Sequence, residues 1–479
     1  MFHLSRRILI TTSVTAFMMV ACAPAKPSGS ETIVPEPEAT AEVSANPEIQ
    51  LLADIAFNGS YGYDITRSLT TEIGPRLAGT EQEARARLWA RDKFKELGFT
   101  GIRTEPFPIK GWTRGLETAQ ITKPYPQALV ITALGGSVAA PKDGITAPVA
   151  YFENYEALTA SPMGSLEGKI AYISGLMKKH RDGAGYGPAN QKRRNGATEA
   201  AKRGALAVLI RSVGTDSHRF PHTGQMGYAK DTKKIPIAAM SAPDADQLDR
   251  IFNMGQDVEI KLHLDTRDLG ELTSGNVMAE IRGSEKPDEI ILIGAHLDSW
   301  DMGTGAVDDG AGVGIVMGAA KVLMESGLKP KRTIRVVLFG AEEIGLIGAH
   351  AYVAAHKETL GQHVLATESD FGAGRIYGLQ AGRSEANKAA IAAMAPEFAY
   401  LGIEPKDGVT NGGPDIIPLD AQGVPTVRLN QDGTDYFDLH HTPDDTFDKI
   451  DPKAMQQNVA AYATLIWLAS ESESNFRDK

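Results

Sequence analysis

Residues 294–312 read GAHLDSWDMGTGAVDDGAG, and the fold turns on what flanks this stretch. Before it, residues 289–295 form an apolar run of strand length. After it, apolar residues recur at helical spacing over 310–326. The stretch itself holds His296, four aspartates and five glycines. Carboxylates this close repel by roughly 4 kcal/mol per pair at ~4 Å and an effective dielectric near 20, so something must offset the cost. The strand–loop–helix order repeats further on, with strands over 332–339 and 364–367 and a helix over 344–355. This alternation predicts an α/β fold with a mostly parallel central sheet and helices on both faces.

Working outward, Thr80-Glu81-Gln82-Glu83 is a capping-box pattern. Ala86, Ala90, Phe94 and Leu97 follow at helical spacing until Gly98. Short strands are expected near 104–109. Between about 122 and 270 the character changes, with strands over 168–173, 206–210 and 235–240 and helices over 197–203 and 244–252. His180, His218 and His222 fall in this part without metal spacing, as does the basic run Lys192-Arg193-Arg194, so surface histidines and a solvated charged face are expected. Pro452 opens a closing helix that carries Met455, Val459, Tyr462 and Ile466.

The chain has 479 residues and a formal net charge of −11. That length predicts more than one domain, and the acidity argues against a nucleic-acid surface. The only cysteine is Cys22. Arg6 and Arg7 precede an apolar run over 8–21, too short to span a bilayer, and Met19-Val20-Ala21-Cys22 resembles a bacterial lipobox. The expected order is a signal peptide over 1–22 and a Pro- and Glu-rich disordered tether over 23–50. A catalytic domain follows in two parts, 51–121 and 271–470, around an insert over 122–270, with a tail over 471–479. An exported, periplasmic protein is expected, lipid-anchored through Cys22 or secreted, with no other membrane contact.

In open α/β sheets functional groups gather past the carboxyl ends of strands. Here that rule selects His296, Asp298, Asp308 and Asp309, then Glu342 and Glu343, then Asp370, with His440 and His441 in a late loop. Singly each has a plain reading: Asp308 or Asp309 as a helix cap, the glutamates as complements to a helix dipole. Together, at least four carboxylates converging with two histidines predict divalent cations, and zinc suits imidazole and carboxylate where no thiolate is available.

The motifs His296-Leu297-Asp298-Ser299, Asp308-Asp309-Gly310-Ala311-Gly312, Ala341-Glu342-Glu343-Ile344-Gly345 and His441-Thr442-x-x-Asp445-Thr446 resemble the di-zinc exopeptidases. That family includes secreted bacterial aminopeptidases and glutamate carboxypeptidase. The insert, similar to a β-rich protease-associated domain, and the His440-His441 doublet bring the likeness nearest to the carboxypeptidase Q type. The resemblance implies two Zn²⁺: His296 and Asp370 on one, Glu343 and His441 on the other, and Asp308 bridging. It further implies Glu342 as general base, Asp298 as the partner of the His296 ring, and a cis peptide between Asp308 and Asp309. Relatives place a tyrosine before the last histidine ligand; His440 stands here, as an oxyanion donor or a structural histidine. Asp415 is read as a turn or capping residue.

The implied activity is hydrolysis of short peptides or dipeptides at a free N-terminus. Cleavage at the C-terminus is the alternative, as is a non-catalytic binding protein of the same fold. A short peptide is the expected partner, and the resemblance allows a homodimer.

Overall fold

The computed structural model describes Ser44 and residues 46–478; Cys22, the signal segment and most of the 23–50 stretch lie outside the described residues. Helix Pro47–Asn58 begins inside the stretch expected to be a tether. The Asn46 side chain caps it, and Ile49, Leu52, Ala53 and Ala56 are buried, an i, i+3, i+4, i+7 stripe that anchors it to the core. Helix Tyr61–Glu72 follows. Helix Glu81–Leu97 starts at Thr80, whose Oγ1 accepts from the Glu83 N–H at 3.2 Å, and closes at left-handed Gly98. Only half of the capping box forms. The Glu83 carboxylate turns away to Ser274 at 3.0 Å and Arg87 at 2.9 Å.

The strands expected near 104–109 belong to one 24-residue strand, Thr100–Lys123, antiparallel to Glu259–Ile281. This ribbon crosses from the core around the site to the insert, and its middle is exposed, which is why its apolar alternation is faint. At one end Glu259–Ile281 pairs antiparallel with Arg332–Phe339. That strand runs parallel to Lys286–His296, which runs parallel to His363–Glu368. At the other end it pairs antiparallel with Ile145–Phe152. Parallel strands Ile170–Ile173, Ala207–Arg211 and Ile237–Met240 continue from there. Helices Tyr186–Lys202 and Ala242–Asn253 flank them, so the insert carries helices beside its strands. A small second sheet joins Ile376–Ala381 to Val427–Gln431 and Glu404–Lys406.

Strand alternation divides the core around the site into two layers. Ile291, Ile293, Val336 and Leu338 face helices Ala311–Glu325 and Pro452–Glu471. Leu292, Val337 and Phe339 face Ala349 and Tyr352 on the opposite side. Helix Ala311–Glu325 lies tight against Tyr61–Glu72: a Cβ on Gly318 would sit 2.9 Å from the Gly62 nitrogen. The parallel strands therefore end rigidly on one edge, where the acidic loops begin. No helix among the described residues is long and apolar enough to cross a membrane.

Candidate metal centre

His296 is the last residue of its strand, and every predicted ligand meets it or its neighbours. His296 Nε2 lies 3.0 Å from Asp308 Oδ1 and 3.7 Å from Asp370 Oδ1. His441 Nε2 lies 3.2 Å from Asp308 Oδ2 and 2.9 Å from Glu343 Oε2. Each oxygen of Asp308 thus faces a separate His–carboxylate pair. The peptide after Asp308 is cis.

The ring orientations are fixed from behind. His296 Nδ1 is 2.9 Å from the Asp298 carbonyl oxygen, and His441 Nδ1 is 3.2 Å from the Thr223 carbonyl oxygen. A carbonyl only accepts, so Nδ1 carries a proton in both rings and Nε2 faces the carboxylates. The expected contact of Asp298 with His296 is therefore made by its backbone. Its carboxylate is 3.9 Å from the ring and instead accepts from the N–H groups of Glu342 at 3.0 Å and Glu343 at 3.4 Å, holding the turn that presents both glutamates. Ala341, Leu346 and His441 adopt left-handed φ, a cost that surrounding contacts must hold in place.

Electrostatics follow from this packing. Burial works against the charge of Asp308, yet bonds from His296 and His441 hold its carboxyl well below the usual range. Burial alone would lower both histidines; Asp308 and Asp370 instead raise His296 well above its ordinary value, and Glu343 and Asp308 bring His441 to about 9. Glu342 is held well above the carboxylate range by burial, with Asp370, Glu343 and Asp298 close by. The Nε2 protons of His296 and His441 sit where a cation would, and metal uptake would displace them. The donors fit such ions. Three groupings, namely His296, Asp308 and Glu343, then His296, Asp309 and Asp370, then Asp308, His440 and His441, each bring ligand atoms within 4.8 Å of one another. Asp308 Oδ2, buried, faces His441 Nε2 at 3.2 Å and His440 Nε2 at 3.6 Å.

His440 stacks on His441 with ring centroids 3.4 Å apart, and its Nε2 is 3.6 Å from Asp308 Oδ2. Burial, reinforced by His441, drives it well below its ordinary value, so a neutral imidazole faces the cleft.

Several residues hold the centre in roles the sequence reading did not assign, and Arg76 escaped it altogether. Arg76, fully buried, donates to the carbonyls of Thr304 at 2.7 Å and Gly305 at 2.9 Å and also to that of Leu297, clamping the loop that opens with His296. Asp445 accepts from the N–H groups of Val307 at 2.6 Å and Asp308 at 3.2 Å. Asp309 accepts from the His296 and Gly312 N–H groups, both at 3.1 Å. Asp415 lies in the one-turn 3-10 helix Pro414–Ile416, as expected of a turn residue, but its carboxyl caps nothing: it is buried, and neither oxygen has a hydrogen-bond partner. Its N–H donates to Glu368 at 2.8 Å, and burial pushes Glu368 up to about 8.

His222 and the basic run also differ from expectation. His180 and His218 are exposed, whereas His222 is buried, its Nδ1 2.7 Å from the His440 carbonyl and its Nε2 2.6 Å from Asp216. Lys192 and Arg193 are buried too, because helix Tyr186–Lys202 turns that face inward. Lys192 donates to the Ser174 carbonyl at 2.9 Å and Arg193 to that of Thr223 at 3.3 Å. With Thr223 N–H donating to the His441 carbonyl at 3.1 Å, the insert grips the segment bearing both late histidines.

A cleft of about 850 Å³ opens over these groups. The description "Peptidase family M28" matches residues 276–466. Carboxypeptidase Q of Bos taurus is 35% identical over 413 residues, covering 86% of this chain and 85% of that protein. A solved peptidase M28 precursor from Shewanella amazonensis SB2B superposes with a TM-score of 0.88 at 48% identity, over 90% of this chain and 97% of that one. A zinc aminopeptidase from Bacillus subtilis shares the fold, with a TM-score of 0.64 at 22% identity over 86% and 96% of the two chains.

Proposed function

On the premise that this chain belongs to peptidase family M28, as a metallo-exopeptidase, we propose that it is a zinc enzyme cleaving short peptides or dipeptides at a free N-terminus. The single observation that carries this reading is the split of Asp308, one oxygen toward His296 and Asp370 and the other toward His441 and Glu343. Two ions held there, by His296, Asp370 and Asp308 and by Glu343, His441 and Asp308, fit the donor set. Once bound, they would supply an acidified water and polarise the scissile carbonyl. Three ligand carboxylates and Glu342 balance two divalent ions in charge.

Glu342, on the turn held by Asp298 and lining the cleft, takes the proton of the attacking water and delivers it to the leaving amine. His440, which lines the cleft, is assigned the donor role for the developing oxyanion that a tyrosine fills in relatives. The related bovine protein is named a carboxypeptidase and the Bacillus subtilis neighbour an aminopeptidase, so the terminus is the point to test. Digestion of a peptide library read by mass spectrometry, with and without chelator, is expected to show chelator-sensitive loss of N-terminal residues. Loss from the C-terminus alone would overturn the choice of end. No cleavage of any dipeptide with zinc present would overturn the activity.

Export and anchoring through Cys22 belong to the same proposal. Palmitate labelling should disappear in Cys22→Ala, and an unlabelled wild type would refute the anchor.

A further inference from the structure

Of the four aspartates in the stretch 294–312, Asp298, Asp308 and Asp309 have a place at the metal centre and Asp301 has none. Its carboxylate lies instead on the guanidinium of Arg114, a residue of strand Thr100–Lys123. Oδ2 accepts from Nε at 2.7 Å and Oδ1 from Nη2 at 2.8 Å. The other donors of Arg114 go to the insert. Nη2 also donates to Thr223 Oγ1 at 3.1 Å, and Nη1 to the Ala133 carbonyl at 2.9 Å and the Thr132 hydroxyl, both on strand Ile131–Ala133. All five N–H groups of the guanidinium are therefore spent, some on the loop that opens with His296 and the rest on the insert.

That division matters because Thr223 is what orients His441. Its carbonyl accepts from His441 Nδ1 at 3.2 Å, and its N–H donates to the His441 carbonyl at 3.1 Å. Trp300, just before Asp301, is buried with its ring centre 5.8 Å from that of His441, and it leaves no room for a Cβ on Gly135 of the insert. The loop itself is clamped separately, by Arg76 on the carbonyls of Leu297, Thr304 and Gly305. Among the described residues, no other side chain bonds to both Asp301 and Thr223. We propose that Arg114 is a positioning residue: through Asp301 on one side and Thr223 on the other, it sets where the His441 half of the centre stands relative to the His296 half, so that the insert completes the site of the second ion. This rests on the two-ion reading above. A planar fork takes a carboxylate by two parallel bonds and so fixes direction as well as distance, which the point charge of a lysine does not. Without the tie, Arg76 still holds the His296 loop, while Thr223 loses its link to that loop. The loss then falls on one ion.

Zinc titration of the metal-free full chain, followed by calorimetry, tests this. Wild type should take up two ions. In Arg114→Gln one ion should bind about 10-fold more weakly, the low end of the range for loss of an outer partner, with the other little changed. Asp301→Asn, a milder change at a half-buried position, should act the same way and carries the test if Arg114→Gln does not fold. The double variant should lose no more than Arg114→Gln alone, because both substitutions remove one tie. In a His441→Ala background, which keeps the His296 side, Arg114→Gln should leave the remaining affinity unchanged. Turnover at limiting zinc should fall in kcat with occupancy of the weaker ion, at constant KM. Equal weakening of both ions, additive losses, unchanged affinity in both single variants, or wild-type zinc binding by Arg114→Lys would each overturn the tie. A wild type that takes up two ions yet cleaves no dipeptide would count against the exopeptidase reading alone, with the titrations still deciding the tie. A wild type that takes up fewer than two would overturn both.

Discussion

Asp308 shows how much one side chain can organise. Its two oxygens face two histidines, its N–H is held by Asp445, and every assigned ligand lies one step from it. Glu342 is different in kind. It lines the cleft without pairing to either histidine, and its N–H, not its carboxylate, is the group fixed by Asp298. Substituting Glu342 with Gln should therefore lower kcat by about 10²–10⁴-fold, the range general acid–base catalysis contributes, while zinc content by atomic emission stays near wild type. His441→Ala should lower zinc content as well as rate. A Glu342→Gln enzyme of near-normal kcat would remove the base assignment. The convergence of His296, Asp308, Glu343, Asp370 and His441 was legible in the sequence because each sits just past a strand end or in a short motif. Asp298 was legible in position and not in contact, since spacing does not tell a side-chain acceptor from a backbone one.

At the scale of elements, the centre depends on loops that cross at very short range. Gly312 lies in the first turn of helix Ala311–Glu325, and a methyl there would overlap the Ser369 carbonyl and the Asp309 carboxylate. Gly312→Ala should lower the Tm, by overpacking worth about 1–3 kcal/mol, and reduce zinc retention, because it displaces the segments of Asp308 and Asp370 together. The grip of the insert on residues 437–441 gives a second test. His222 links Asp216 to the His440 carbonyl, and adjacent Thr223 accepts from the His441 ring. His222→Ala is expected to weaken zinc binding about 10- to 100-fold, as loss of an outer partner does, read by competition with a chelator of known affinity. Unchanged affinity would show that the insert does not hold the late histidines. These contacts were hidden in the sequence. His222, Lys192 and Arg193 read as surface groups because polar residues usually are, and nothing in a linear pattern shows that helix Tyr186–Lys202 turns Lys192 and Arg193 inward or that His222 packs under His440. Arg76 was hidden for the same reason, its acceptors lying more than two hundred residues away. The long ribbon strands were missed because their exposed middle dilutes the alternation that marks a half-buried strand.

For the whole molecule, the acidic centre links stability to pH and metal. In the metal-free protein, burial holds Glu368 up to about 8, Asp445 and Glu83 up to about 7, and nearby acids bring His441 to about 9. Each of these groups binds its proton more tightly folded than unfolded. Its contribution is complete below the unfolded pKa and is lost as pH rises through the folded one. The Tm of chelator-treated protein should therefore fall steadily from about pH 5 to pH 9. Asp308 has the opposite sign: His296 and His441 hold it well below the ordinary carboxylate range, so its contribution is lost only in stronger acid. Zinc is expected to reverse the alkaline trend, because bound cations would stabilise the carboxylates and unprotonated imidazoles that form as pH rises. Ligand at a thousandfold its Kd adds about 4 kcal/mol to folding stability. The gap in Tm between zinc-loaded and metal-free protein should widen with pH, and calorimetry at pH 5, 7 and 9 measures it. A gap that stays constant across that range would mean that cations are not what makes this cluster of buried acids tolerable.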